Sequence, residues 1–387
     1  MRIIVAPDSY KGSLSAIEVG NIIRSALLAE IPDAQVDVVP MADGGEGTVD
    51  ALLASTGGER IRLTATGPMG TAIPTFYGIL AGAPGTDAKT AVIETAAVAG
   101  LTLVPPEKRN PVHLTTYGLG ECIRHALDQG IRRLIIGLGG SATNDGGLGM
   151  LQALGATFVD ADGKQVPAPA CSVIDALTRI VRADYSTLDP RLKETDILIA
   201  SDVKSPLCGP QGASFVFGPQ KGATPEQVQR LDRGLASFAE KVERHLGRSY
   251  QHLPGAGAAG GLGFALMSIG GKVHAGAELV AQASGLPEKL RQADWLITGE
   301  GKTDHQTLLG KLPITLARLA RAHGVRTILI SGSLDSDADT LEALNRHFDA
   351  LFAIPNRPMT LEEAIRESRA LLAHTARNIA RLIRAVR

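Results

Sequence analysis

Short runs of apolar, often β-branched residues alternate along the chain with longer segments in which apolar residues recur every three or four positions. This alternation is typical of an α/β fold with parallel strands. Residues 2–6 are predicted to form a buried strand, residues 15–31 an amphipathic helix and residues 36–40 a second strand. Residues 45–54 are predicted as the next helix, so the chain begins with two strand–helix pairs.

The same alternation returns toward the carboxyl end and closes with a long amphipathic segment. Together with the first two strands, it predicts a five-stranded parallel sheet built from residues 1–58 and 286–387. The elements predicted in this part are strands at 295–298, 327–331 and 350–355, and helices at 313–323, 337–345 and 360–386.

The middle of the chain has a different pattern. Residues 60–80 combine alternating polarity with turn glycines, which predicts an antiparallel hairpin. Further strands are predicted at 91–94, 133–137, 157–160 and 197–201. Residues 59–285 are therefore predicted to form a second α/β domain, inserted into the first.

Composition narrows the class of protein. With 387 residues, 44% of them hydrophobic and 20% charged, the chain can bury a large core and is not a disordered protein. The net charge of −1 and an aromatic content of 4% argue against a nucleic-acid partner. Three cysteines without a disulfide-like spacing (Cys122, Cys171 and Cys208), no secretory signal and no membrane span predict a cytoplasmic protein.

The 44 glycines cluster in polar loops that follow predicted strands. Backbone N–H groups bared by glycine at a helix start can bind phosphate, nearby carboxylates can hold Mg²⁺, and lysines can neutralise phosphoryl oxygens. One such loop is usually only a turn, but several at strand ends favour a site that handles phosphate. The loops are residues 6–13, 41–48, 137–147, 200–206 and 299–304.

Two other functions remain open at this point. Gly137, Gly139 and Ala142 match the dinucleotide-binding spacing after a strand, and Asp160 lies at the end of a later one, so the loop also fits an NAD-dependent oxidoreductase of a small hydroxy acid. The third interpretation is a non-catalytic sensor that binds an organic acid or a nucleotide between two domains.

The chain resembles the bacterial glycerate kinase family along nearly its whole length. Each matching stretch is modest by itself, but together and in order they are specific, and Tyr10 stands where phenylalanine is common in that family. The stretches are APDSYKGSLSA at 6–16, PMADGGEGT at 40–48, GLGGSATNDGGLGM at 137–150, ASDVKSPLCGP at 200–210, VFGPQKGA at 216–223, PGAGAAGGLG at 254–263 and ITGEGKTDHQTLLGK at 297–311.

The resemblance implies a flavodoxin-like parallel-sheet domain interrupted by a second α/β domain, with an active-site cleft between them. It implies ATP-dependent phosphorylation of D-glycerate with Mg²⁺ and release of ADP, with 2-phosphoglycerate the favoured product. The partners implied are small molecules, with no nucleic acid or membrane, and the protein is expected to be a monomer or a homodimer.

For that reaction, residue chemistry and loop position predict individual roles. Asp202 is the predicted catalytic base, and Lys11 and Lys302 are predicted to hold phosphate or the substrate carboxylate. Asp8 and Ser13 are predicted to bind the glycerate hydroxyls. The predicted Mg²⁺ ligands are Asp43 and Asp304, and the predicted nucleotide-binding residues are Gly139, Gly140, Ser141, Asn144, Gly255, Gly257 and Gly260.

Overall fold

A computed structural model describes residues 1–81, 89–169, 172–335 and 337–386, so Cys171 lies outside the described residues. The chain separates into two compact units. Unit 1 comprises Met1–Asp43, Asp50–Gly57 and Ala277–Arg387, and unit 2 comprises Gly44–Val49 and Gly58–Gly276. The α/β fold with parallel sheets is confirmed. The domain limits expected from the sequence, 1–58 with 286–387 and 59–285, stay a prediction.

The strands are numbered in chain order. They are β1 (Arg2–Val5), β2 (Gln35–Val38), β3 (Glu59–Thr66), β4 (Ala72–Leu80), β5 (Thr90–Glu94), β6 (Arg133–Gly137), β7 (Thr157–Val159), β8 (Arg182–Asp184), β9 (Asp196–Ala200), β10 (Lys272–His274), β11 (Trp295–Thr298), β12 (Lys302–Thr303), β13 (Arg326–Ser331), β14 (Ser333–Leu334) and β15 (Ala350–Ala353).

The helices are numbered in the same way, and short 3₁₀ turns occur between them. They are α1 (Ala16–Glu30), α2 (Thr48–Thr56), α3 (Ala96–Ala99), α4 (Tyr117–Asp128), α5 (Leu148–Ala153), α6 (Val173–Arg179), α7 (Ala213–Phe217), α8 (Pro225–Leu246), α9 (Ala258–Ser268), α10 (Gly276–Ala283), α11 (Leu286–Leu290), α12 (Leu312–Ala322), α13 (Ala338–Asn345) and α14 (Leu361–Ala385).

Unit 1 is built on a five-stranded sheet in the order β15-β13-β11-β1-β2, and every neighbouring pair is parallel. Ile3 lies opposite Trp295 on one side and Val36 on the other. Ile3 and Ile4 are both fully buried, as expected for strands covered on both faces. The five-stranded parallel sheet predicted from the two ends of the chain is confirmed.

Helices α1 and α14 cover one face of this sheet. Each begins with a capping box, Ser15 with Glu18 in α1 and Thr360 with Glu363 in α14. Their apolar faces pack into one core with the strands, through residues such as Ile23 of α1. The start of α14 is thereby fixed just after the loop that follows β15.

Unit 2 is built on a six-stranded mixed sheet in the order β10-β9-β6-β5-β4-β3. The pairs β3–β4 and β4–β5 are antiparallel and the remaining pairs are parallel. The hairpin predicted over residues 60–80 is therefore confirmed. The strand predicted at 157–160 pairs with β8 in a separate antiparallel ribbon. Along the described parts of the chain, no helix combines the length and apolarity needed to span a bilayer.

Candidate active site

The loops after β1 and β11 meet at the carboxyl edge of the unit 1 sheet. The Asp8 N–H donates to the Gly299 carbonyl at 2.8 Å, and the Gly332 N–H after β13 donates to the Glu300 carbonyl at 3.0 Å. These bonds tie three successive strand ends together. Parallel strands place such loops at one edge, which is where ligands bind in open α/β sheets.

A cavity of about 730 Å³ opens at this edge, wholly within unit 1. We call the part lined by the segments after β1, β2 and β11 the polar end, and the part lined by the loop after β15 and the start of α14 the apolar end. The polar end brings together several residues that the sequence singles out and adds two that it did not, Glu300 and Lys311. Its charged and hydroxyl-bearing lining is Asp8, Ser9, Tyr10, Lys11, Ser13, Asp43, Glu300, Lys302 and Lys311.

Asp8 and Asp43 form a pair of interacting carboxylates in this cavity. Burial, followed by the repulsion from Asp43, raises the pKa of Asp8 from 3.8 to about 7. The Ser9 N–H at 2.6 Å from Asp8 Oδ1 and the charge of Lys11 only partly oppose that rise. Adjacent carboxylates of this kind favour a bound cation.

Glu300 is 8% exposed and accepts hydrogen bonds from two hydroxyl groups, Thr303 at 3.0 Å and Thr307 at 2.6 Å. Burial raises the pKa of its carboxyl group, whereas the nearby Lys311 acts in the opposite direction. Thr303 also shares a 2.6 Å hydrogen bond with Ser331 at the end of β13. Glu300 therefore fixes the loop after β11 and places a carboxylate at the cavity.

Lys302 and Asp304, predicted for different roles, form an ion pair with 3.2 Å between Nζ and Oδ2. The lysine side chain is 71% exposed and the aspartate side chain 17%. Burial alone acts to raise the pKa of Asp304, but the bonds from Lys302 and from the Gln306 N–H, together with Lys311, lower it. Asp304 is thus an ionised carboxylate already neutralised by a lysine.

Tyr10 and Ser13 shape the turn after β1. Ser13 Oγ donates to the Tyr10 carbonyl at 3.1 Å, and the Tyr10 hydroxyl donates to the Ile330 carbonyl at 2.8 Å. Burial raises the pKa of the Tyr10 hydroxyl, so it stays a neutral donor. Tyr10 therefore anchors this turn to β13.

In unit 2, the loop after β6 packs against the segment Gly44–Val49. The Gly139 N–H donates to the Gly44 carbonyl at 3.2 Å, and a Cβ at Gly139 would lie 2.5 Å from the Gly45 Cα. Glycine at 139 is therefore required by the close approach of two backbones. Gly140 is the exposed residue of this turn, and Ser141 next to it is 8% exposed.

The buried side chain of Lys221 supports the same loop through hydrogen bonds. Lys221 is 3% exposed, and its ammonium group donates to Ser141 Oγ at 2.9 Å and to the Thr143 carbonyl at 2.7 Å. Burial lowers the pKa of Lys221 from 10.5 to about 7, and Asp145 opposes this change. Lys221 was not singled out from the sequence, where only its place between glycine- and proline-rich stretches sets it apart.

Asp145 is the second buried charged group of the loop. Its carboxylate accepts from the Thr116 N–H at 3.0 Å and hydroxyl at 2.8 Å, and from the N–H groups of Gly147 and Gly149. Burial raises its pKa in spite of these bonds. The adjacent Asn144 is fully buried and its amide donates to Ser214 at 2.8 Å.

The second glycine-rich segment of unit 2 is also tightly packed. A Cβ at Gly257 would lie 2.2 Å from the Pro206 carbonyl oxygen, and one at Gly260 would lie 2.1 Å from that of Thr143. Gly255 and Gly260 both have positive φ, +91° and +71°. Backbone packing and positive φ angles are therefore sufficient to explain glycine at these positions. Their role in nucleotide binding stays a prediction.

Asp202 follows β9 and is exposed. Its Oδ1 accepts the Gly276 N–H at 2.9 Å, which orients the carboxylate at the start of α10. An exposed, oriented carboxylate after a parallel strand is accessible to a ligand. This is the position at which the sequence placed the catalytic base.

The oxidoreductase alternative gains no support. Gly137, like Gly139, is set by contact with Gly44, whose carbonyl oxygen would lie 2.3 Å from a Cβ at 137. The Asp160 carboxylate is occupied by Arg179 at 2.9 Å and by the N–H groups of its own turn. Asp160 is therefore a turn-stabilising residue here.

Comparison with known proteins identifies the family to which this chain belongs. The model of the glycerate kinase family matches residues 3–384. A glycerate kinase of Haemophilus influenzae is 44% identical over 384 residues, covering 99% of each chain. A glycerate 2-kinase of Escherichia coli is 44% identical over 381 residues, covering 98% of this chain and 97% of its own. A solved structure named for glycerate kinase 2 of Salmonella typhimurium LT2 matches with a TM-score of 0.87 at 44% identity, covering 100% of this chain and 98% of that one.

The chain belongs to the glycerate kinase family. Kinases transfer a phosphoryl group, so this is a phosphotransferase, as the sequence predicted. Phosphoryl transfer uses cations and carboxylates. The unit 1 cavity contains both kinds of group, among them Lys11, Lys302 and Asp43.

Proposed function

We propose that this enzyme transfers the γ-phosphoryl group of ATP to the 2-hydroxyl of D-glycerate, giving 2-phosphoglycerate and ADP. The observation that carries the proposal is the polar end of the unit 1 cavity, where lysines and carboxylates converge at the strand ends of a chain of this family. The 2-hydroxyl is favoured because the Escherichia coli relative is named a glycerate 2-kinase.

In this reaction the glycerate oxygen forms a bond to the γ-phosphorus while the bond from that phosphorus to the β–γ bridging oxygen breaks. The electron pair of the broken bond leaves with ADP, and the hydroxyl proton goes to a base. We assign the base to Asp202, whose carboxylate is exposed and oriented by the Gly276 N–H. A positioned carboxylate contributes about 10²–10⁴-fold in such a step.

The lysines of unit 1 supply positive charge. Lys11 is exposed and lines the polar end of the cavity, and Lys302 lines the same end with its ammonium group paired to Asp304. We assign both to the phosphoryl oxygens or the glycerate carboxylate. Because phosphoryl transfer is accelerated mainly by positioning and charge, loss of either lysine should weaken substrate binding and turnover together.

Asp8 and Ser13 line the same cavity end and are proposed to bind the glycerate hydroxyls. With its raised pKa, the Asp8 carboxyl group is partly protonated near neutral pH and can accept or donate a hydrogen bond. The Ser13 hydroxyl donates its proton to the Tyr10 carbonyl, so its oxygen can still accept a hydrogen bond from the substrate. A three-carbon acid with two hydroxyls fits this donor and acceptor set.

The carboxylates also fit Mg²⁺. The described residues contain no group of three or more His, Cys, Asp or Glu arranged for a metal, but Mg²⁺ is commonly held by one or two carboxylates together with substrate phosphates. We propose Asp43, with Asp8 beside it, as the contact; Asp304, already paired with Lys302, orients that lysine instead. Mg²⁺ at this place would neutralise charge on the phosphates.

In unit 2 we propose that the loop after β6 contacts phosphoryl oxygens through Gly140 and Ser141, while Gly139, whose N–H donates to the Gly44 carbonyl, holds the turn in place. Gly140 supports this because it is exposed and follows a buried parallel strand. We also propose that the backbone of this loop is supported by Asn144, Gly255, Gly257 and Gly260. We further propose a cytoplasmic monomer or homodimer without a nucleic-acid partner, consistent with the free thiols of Cys122 and Cys208.

The test measures ADP release with a coupled assay under three conditions: with D-glycerate, with L-glycerate, and with neither acid. Asp202→Asn should lower kcat about 10²–10⁴-fold. Asp196→Asn, at the start of the same strand β9, is the matched control and should keep its rate. Wild-type enzyme without D-glycerate-dependent ADP release would refute the proposed function, and a folded Asp202→Asn enzyme with normal kcat would refute the base.

A further inference from the structure

The apolar end of the unit 1 cavity is formed by the loop after β15 and the first turns of α14. Nothing in the glycerate chemistry uses it, because a three-carbon hydroxy acid has almost no apolar surface. The lining of this end is mostly apolar, but Arg357, Thr360 and Ser368 also contribute to it. The apolar members are Ile354, Pro355, Pro358, Met359, Leu361, Ala364 and Ile365.

Two of these side chains are left uncovered. Leu361 is 75% exposed and Ile365 is 37% exposed. They lie four positions apart in α14 and therefore on the same face of the helix. A pair of large aliphatic side chains facing a cavity offers a surface on which a flat aromatic ring can pack.

The size of the cavity fits a nucleotide. Its volume of about 730 Å³ lies within the range of roughly 300–1,000 Å³ typical of sites for ligands much larger than glycerate. The same cavity holds Lys11, Lys302 and Lys311 at its polar end. An aliphatic wall at one end and clustered ammonium groups at the other are complementary to a ligand with an aromatic base and an anionic tail.

We propose that the adenosine part of ATP binds in unit 1 against Leu361, Ile365 and Pro358, with its phosphates directed toward the three lysines. This rests on the proposed function for the identity of the donor. It places the adenine ring in unit 1 and not at the glycine-rich loops of unit 2, which the sequence predicted to bind the nucleotide. Close backbone packing already accounts for several of those glycines, including Gly257 and Gly260.

The proposal is tested by calorimetric binding of ADP and of inorganic pyrophosphate, each with Mg²⁺ and without glycerate. In the variant L361N/I365N, the affinity for ADP should fall about tenfold or more, because the two aliphatic side chains no longer offer apolar surface for the adenine ring to bury. The affinity for pyrophosphate, which lacks the adenosine, should stay within about twofold of wild type. The KM for ATP should rise while the KM for D-glycerate stays unchanged.

Leu382→Asn is the matched control. Leu382 is on the same helix and is 57% exposed, but it does not line the cavity, so its substitution should leave ADP binding unchanged. If the double variant does not fold, Leu361→Asn alone is measured in the same way, because that side chain is mostly exposed. Unchanged ADP affinity in whichever variant folds overturns the proposal.

The outcome is separable from that of the proposed function. ADP binding needs no acceptor, so an enzyme inactive on D-glycerate can still support the nucleotide site. Conversely, the affinities for ADP and pyrophosphate could fall together in L361N/I365N while the wild-type enzyme phosphorylates D-glycerate. The proposed function would then stand, and the proposed adenosine site would be wrong.

Discussion

The ammonium group of Lys221 lies 2.9 Å from the hydroxyl oxygen of Ser141, inside unit 2. Lys221 is 3% exposed, so a residue type that normally lies at the surface forms the support of the loop after β6. Asp145, likewise buried, holds the other end of the loop through backbone N–H groups. The loop's conformation therefore depends on two buried ionisable groups.

The first prediction is that Lys221 makes stability depend on pH. The pKa of Lys221 is about 7 in the folded state and 10.5 as the ordinary value, so the unfolded chain binds the extra proton between these limits. Stability due to this group should therefore rise with pH across that window, by up to about 1.4 kcal/mol per pH unit. The measurement is the free energy of urea unfolding of wild type and Lys221→Met from pH 7 to 10.

Lys221→Met is the control in that experiment, since it fills a similar volume and does not titrate. The wild-type free energy of unfolding should increase relative to that of the variant as the pH rises. A difference between the two proteins that stays constant from pH 7 to 10 would show that Lys221 is charged at all these pH values.

The second prediction concerns Gly260. It combines a φ of +71° with a position where a Cβ would lie 2.1 Å from the Thr143 carbonyl oxygen. Gly163→Ala is the control, because Gly163 has a φ of +77° with no atom within 4 Å of the added Cβ. Gly163→Ala should cost about 1–2 kcal/mol of unfolding free energy, and Gly260→Ala clearly more. Equal costs would contradict the close-packing explanation.

The third prediction separates the two candidate Mg²⁺ ligands. Asp43→Asn should raise the Mg²⁺ concentration for half-maximal activity by about tenfold or more, because it removes one of two adjacent carboxylates. Asp304→Asn should change the KM values for the substrates more than the Mg²⁺ requirement, since Asp304 is paired with Lys302. The measurement is Mg²⁺ titration of ADP release, and the reverse pattern would assign the metal to Asp304.

The fourth prediction is that Tyr10→Phe destabilises the enzyme by about 1–2 kcal/mol. The substitution leaves the Ile330 carbonyl without the hydroxyl that donates to it at 2.8 Å. Thermal and urea unfolding measure the change. A variant as stable as wild type would mean that the hydroxyl contributes nothing to anchoring the turn after β1.

The sequence predicted the strands of unit 1 because strands buried on both faces leave continuous apolar runs, as in β1 and β13. The helix α8 was not among the sequence-based predictions, although its ends are marked by Thr224 and Gly247. The pairing of β7 with β8 depends on contacts between segments that local patterns do not report.

For the candidate site, the sequence indicated the loops that carry Asp8, Asp43 and Lys302, because polar residues follow strand ends. It could not indicate that Lys221 is buried or that Glu300 accepts two threonine hydroxyls, since both facts depend on tertiary packing. It also could not separate glycines required by backbone contact, such as Gly139, from glycines that bare N–H groups for a ligand.

Phosphorus NMR of the product formed from ATP and D-glycerate is the most direct test of the proposed activity. We predict a new phosphomonoester signal whose phosphorus couples to the single proton on carbon 2, together with an equal amount of ADP. A phosphorus coupled to the two protons on carbon 3 would contradict the assigned hydroxyl, and the absence of any new phosphomonoester would contradict the proposed reaction itself.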